Sequence, residues 1–115
     1  MLKIYLLSAA QEDRRVYKIG HTSRDVSDRV KEFRTGNASE IRVEAQFESK
    51  WAKKIERALH RHFRARGIGG EWFALEPGHV ADFGRICQIT HDGLELVERH
   101  NTYIIERGGL GRARA

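Results

Sequence analysis

Residues 2–20 read LKIYLLSAAQEDRRVYKIG, and this stretch decides the fold. Leu2 to Ser8 is a nearly continuous apolar run, the signature of a buried strand. Ala9 to Arg15 is polar and charged, as a hairpin loop requires. Val16 to Gly20 is a second short strand, stopped by its glycine. The two runs predict an antiparallel hairpin at the head of the chain.

Working outward, Thr22-Ser23-Arg24-Asp25 supplies helix-capping side chains. Val26, Arg29, Val30 and Phe33 follow at helical spacing, and Gly36-Asn37 forms a helix stop. Ile41, Val43, Ala45 and Phe47 alternate with Arg42, Glu44 and Gln46, which predicts a half-buried strand. Trp51, Ala52, Ile55, Ala58, Leu59, His62 and Phe63 recur at three and four, giving a second helix an apolar stripe. Gly67, Gly69 and Gly70 end it. Glu71 to Leu75 reads as a fourth strand. Pro77 opens a helix carrying Val80, Phe83, Ile86 and Cys87. Asp92-Gly93 marks a break, and Leu94 to Glu106 a further helix, with a strand over 102–105 as the other reading. The predicted order is β-β-α-β-α-β-α: a small α/β (α+β) domain whose short mixed or antiparallel sheet has three to four strands flanked by helices. Residues 1–76 form the principal unit and 77–107 a helical extension packed on it. The Gly- and Arg-rich residues 108–115 read as a disordered tail.

Composition narrows the function. The chain has 115 residues, enough for one core. No apolar run is long enough to span a membrane, and the first residues lack the pattern of a signal peptide. A single cysteine, Cys87, excludes an internal disulfide and a cysteine-based zinc finger. A cytoplasmic location is the expectation. The net charge of +5 is concentrated: residues 50–66 carry seven basic residues and one acid, a net +6, so the remainder sums to −1. A basic helix on a near-neutral domain points to a nucleic-acid backbone as partner. Lys50, Lys53, Lys54, Arg57, Arg61 and Arg64 are the candidate contacts, with His21 beside them.

Four pieces fall in order: Ile4-Tyr5, Tyr17-Lys18-Ile19-Gly20, Arg29 and Glu56. With Glu56-x-x-Leu59-His60-x-x-Phe63 and Gly70-Glu71-Trp72-Phe73, they resemble the GIY-YIG nuclease superfamily over residues 2 to 76. The likeness is to its branch of short phage and meiotically up-regulated-gene-type domains. That resemblance implies a metal-dependent DNA endonuclease. Tyr5 would line the site, Arg29 would stabilise the scissile phosphate and Glu56 would hold Mg²⁺ or Mn²⁺. A guanidinium matches two phosphate oxygens at once, and Mg²⁺ needs only one or two carboxylates plus phosphate.

Alignment on Ile19-Gly20 places Lys18 where the superfamily has its second tyrosine, with Tyr17 one residue early. Neighbours on a strand point to opposite faces, so only a bulge would bring both to one site. Lys18 reads as a base or a phosphate contact. His60 shares a helix face with Glu56 and reads as a hydrogen-bonding group near the site. A zinc reading of Glu56 and His60, with His21 or His62, lacks the dense ligand pattern such sites show. Arg29 is spaced to pair with Asp25, and Glu56 with Lys53 or His60. Trp72 reads as core or as a base-stacking ring. The alternative functions are a catalytically degenerate DNA-binding module using the basic helix and a protein-interaction domain whose charge is only solubilising.

Overall fold

The computed structural model describes residues 1–33 and 40–107, with side chains through residue 102. The expected helix stop at Gly36-Asn37 and the tail at 108–115 lie outside the described residues. The chain opens with the expected hairpin, longer than its apolar runs: β1 spans Lys3–Gln11 and β2 Arg14–Thr22. Helix α1 (Val26–Glu32) begins at Asp25, whose carboxylate accepts from the Ser27 backbone N–H. Next come β3 (Ile41–Glu48) and α2 (Ala52–His62). A 3₁₀ turn over Arg64–Arg66 leads into β4 (Gly67–Gly69) and β5 (Trp72–Phe73). Helix α3 (Pro77–Arg107) closes the described chain. The result is an α+β domain. Among the described residues its sheet has five strands, all antiparallel, in the order β3-β1-β2-β5-β4.

Two expectations are corrected here. The fourth strand is a two-residue β5 paired with a three-residue β4, so the sheet has five strands instead of three to four. Gly69 and Gly70 take positive φ, 134° and 57°. They form the tight turn between these strands, and so do more than end a helix. The second correction is at Asp92-Gly93, which does not break the chain: α3 is one helix of 31 residues. A helical glycine costs only about 1 kcal/mol, and side chains on either side anchor the helix. His91 Nδ1 meets the Ser49 hydroxyl at 2.8 Å, and Trp51 Nε1 donates to Glu95 at 2.7 Å.

The sheet separates two apolar clusters. Ile4, Leu6 and Ile19 pack with Ile55, Leu59 and Phe63 and with Phe83 and Cys87 of α3. Tyr5 and Leu7 face the other way, against Val26, Val30 and Ile41. A bulge opposite Leu6/Leu7 pairs Leu6 with Ala45 but Leu7 with Val43. It turns Ile41 to the α1 side while Ala45 and Phe47 stay with the larger cluster. Strict alternation along β3 therefore does not mean a single buried face. Among the described residues, no helix is long and apolar enough to cross a membrane.

Candidate active site and nucleic-acid surface

The site is built from the free edge of β2. Among the described residues that strand has no ladder partner on its β5 side beyond Lys18, and the Ile19 N–H reaches across to the Glu71 carbonyl at 3.2 Å. Gly20 pairs with Tyr5 of β1, and the Tyr5 ring lies directly over it. A Cβ at position 20 would stand 2.5 Å from the Tyr5 hydroxyl oxygen, so glycine is needed for close approach.

Tyr5 is 1% exposed. The Arg29 guanidinium reaches toward its hydroxyl from α1 and interacts with it. Burial pushes the Tyr5 phenol above its ordinary value, with Arg29 pulling the other way. At neutral pH it is a protonated hydrogen-bonding group, not a phenolate. Arg29 is also held by Glu32, at 2.6 Å, and lies over the Phe33 ring at 4.9 Å. Its spacing suggested Asp25, but that carboxylate is used in capping α1.

Lys18 shares the Tyr5 face. Its ammonium meets Glu71 at 3.0 Å and sits 5.0 Å and 5.6 Å from the ring centroids of Phe33 and Trp72. The β1–β2 register has no bulge, so Tyr17 points to the opposite face and packs against the larger core. The structure thus brings Lys18 to Tyr5 and Arg29 and leaves Tyr17 out.

Glu56 approaches from α2. One of its oxygens receives His21 Nδ1 at 2.5 Å; the other lies 3.6 Å from His60 Nε2. That His60 nitrogen donates to the Ile19 carbonyl at 3.0 Å, and the ring packs edge-on to Phe73. Glu56 is only 12% exposed in its side chain. Glu56 and Glu71 are both near enough for their charges to act on the Tyr5 hydroxyl. The edge of β2 therefore gathers two groups: Tyr5, Lys18, Arg29 and Glu71, and Glu56 with its two histidines.

Among the described residues, no set of three or more His, Cys, Asp or Glu side chains is placed to hold a metal ion. His62 does not join Glu56; its ring packs against Phe63. The basic helix divides by partner. Lys50 is bound to Glu95 and Glu98 of α3, at 3.4 Å and 3.0 Å, and with Lys54 it covers the Trp51 ring. Lys53, Arg57, Arg61 and Arg64 are exposed, and among the described residues none has an ion-pair or hydrogen-bond partner.

A family model for the T5orf172 domain matches residues 3–89, three quarters of the chain. The chain belongs to the T5orf172 domain family. This corrects the resemblance to the GIY-YIG superfamily, because the T5orf172 family is a different one. The T5orf172 match takes in β1 through the first part of α3, including Phe83 and Cys87 of the core. The T5orf172 domain is associated with phage and nuclease-like DNA-binding proteins. No curated protein and no solved structure matches the chain.

Sequence reasoning missed Glu71 and Phe33 as partners of Lys18, and Glu32 as the carboxylate that steadies Arg29. Glu32 was available as an i,i+3 pair on α1. Glu71 was not, because its contact depends on how β5 docks against β2.

Proposed function

We propose that this T5orf172 domain binds DNA along the exposed cations of α2 and cleaves a phosphodiester at the β2 edge. The observation that carries this reading is the placement of Glu56. It is a shielded carboxylate on the helix that presents Lys53, Arg57 and Arg61, with Arg64 in the turn that follows, and its charge reaches the Tyr5 hydroxyl.

In this reading the cations of α2 bind backbone phosphates and set the strand's position. Arg29, held by Tyr5 and Glu32, neutralises charge at the phosphate being attacked. Lys18 is a further phosphate contact, its head steadied by Glu71 and two aromatic rings. Glu56 would hold a divalent cation only jointly with DNA, as one carboxylate completed by phosphate oxygens and water, an arrangement suited to Mg²⁺ or Mn²⁺. When bound, such an ion offsets phosphate charge and activates water. His21 orients the Glu56 carboxylate, and His60, donating to the Ile19 carbonyl, ties that part of α2 to the edge of β2.

The test is cleavage of labelled plasmid, duplex and branched DNA with Mg²⁺ or Mn²⁺. The wild type is run beside Glu56→Gln and Arg29→Ala. The expected result is nicking by the wild type and a loss of about 100-fold or more in both variants, with binding retained by Glu56→Gln. A second reading, a DNA-binding module without chemistry, is favoured by His21 already seated on Glu56, with His60 beside it. Salt-sensitive binding with no cleavage of any substrate selects it. Absence of DNA affinity at moderate salt defeats both.

A further inference from the structure

We infer that the cleft beside Trp72 receives an unpaired nucleobase of the DNA strand whose phosphate contacts Lys18 and Arg29. The domain's substrate is therefore single-stranded or splayed next to the bound phosphate. This rests on the DNA-binding reading above and names the kind of DNA.

The cleft, about 270 Å³, is lined by residues that include Ala9, Gln11, Val16, Ile68, Gly69 and Trp72. That is slightly below the range for drug-sized ligands and suits one planar ring. Its position follows from register. Val16 lies two residues before Lys18 on β2, so it shares the Lys18 face about 7 Å further along. Ala9 is its partner across β1, as Leu7 is the partner of Lys18. Trp72 pairs with Lys18 across β2 and β5 and joins the two places. Its ring receives the Lys18 ammonium at 5.6 Å and also lines the cleft.

A cation for a phosphate thus adjoins an aromatic ring for a base, as on platforms that hold single strands. Apart from Gln11, whose amide can meet a base edge, the remaining side chains of the lining are apolar, and Ile68 is left 42% exposed at the rim. Apolar walls favour a base face over its edges. A paired base stays in its stack and enters only at an energetic cost.

The experiment uses the full chain with Trp51→Phe, which leaves Trp72 as the sole tryptophan. It is titrated with a 12-nucleotide single strand and with a 12-base-pair duplex, each also carrying a label for anisotropy. Expected are quenching of Trp72 by the single strand and little quenching by the duplex. Trp72→Ala should weaken single-strand binding roughly 10-fold or more and duplex binding by less, since the duplex loses only the ring that steadies Lys18. Because Trp72 also packs in the sheet, Ile68→Glu is the second variant; it charges the exposed rim and should weaken the single strand selectively. Equal losses for both DNAs in Ile68→Glu overturn the proposal, as does bound single strand without quenching of Trp72. In either case the DNA reading survives, because anisotropy still reports binding. No anisotropy change with either DNA overturns the DNA reading and this inference together.

Discussion

The two faces of the sheet are covered to different depths. On one, two helices seal a cluster running from Ile4 and Ile19 to Phe83 and Cys87. On the other, the seven-residue α1 covers only Tyr5, Leu7, Val26, Val30 and Ile41. Past the end of that small cluster the face carries Lys18, Arg29 and Trp72, half-buried and joined by ion pairs and ring contacts. The fully covered face supplies stability. The partly covered face can hold a charged site because α1 is too short to seal it, and burying those charges completely would be costly. Tyr5 belongs to both regimes: its ring is core, and its hydroxyl is site.

The largest effect should come from the sealed face. Phe83→Ala removes a ring that is 1% exposed and should cost about 3–5 kcal/mol in urea unfolding. DNA affinity per folded molecule should not change; a specific loss of affinity would show that the faces are not separable. Gly20→Ala strikes where the faces meet. Its new methyl must displace the Tyr5 ring, at about 1–3 kcal/mol of stability. The functional loss should exceed that of an equally destabilising core variant, and a fully active variant would break the link between Tyr5 and Arg29.

Changing Lys53, Arg57, Arg61 or Arg64 singly to Ala should leave the Tm in place and lower the slope of log affinity against log salt by about one each. Lys50→Ala should alter that slope less, since Glu95 and Glu98 already hold its charge. An equal effect for all five would erase the distinction between paired and unpaired cations.

The smallest effect concerns Cys87. Burial pushes its thiol up to about 12, so iodoacetamide at pH 8 should label it only after unfolding. Its folded pKa is raised above the ordinary value of 9.0. Its contribution to stability is therefore complete below pH 9 and declines as pH rises from there toward about 12. Rapid labelling of native protein would mean that α3 leaves the sheet easily.

The hairpin was legible from its apolar runs and the polar loop between them, and both amphipathic helices and β3 because each repeats its apolar residues at the period of its element. Asp25 was legible as a cap within a run of capping residues. The small β4–β5 hairpin was not, since Gly67-Ile68-Gly69 has too few side chains to show a period. At Asp92-Gly93 a local break signal was overridden by Ser49 and Trp51, which anchor α3 from a distance in sequence. Of the candidate site, Tyr5, Arg29, Glu56 and His60 were named from motif order. The His21–Glu56 bond and the Lys18–Glu71 pair link residues 35 and 53 positions apart, so only folding brings them together.

The sequence by itself determined the apolar periods, the charge concentrated on one helix and the side chains available for phosphate chemistry. These are properties of neighbours along the chain, governed by the geometry of a single helix or strand. Tertiary structure alone decided that Lys18 faces Tyr5 while Tyr17 does not and that Glu56 sits between two histidines. It also decided which cations of α2 remain unpaired. Each of these depends on strand register and helix docking, where a shift of one residue turns a side chain to the opposite face.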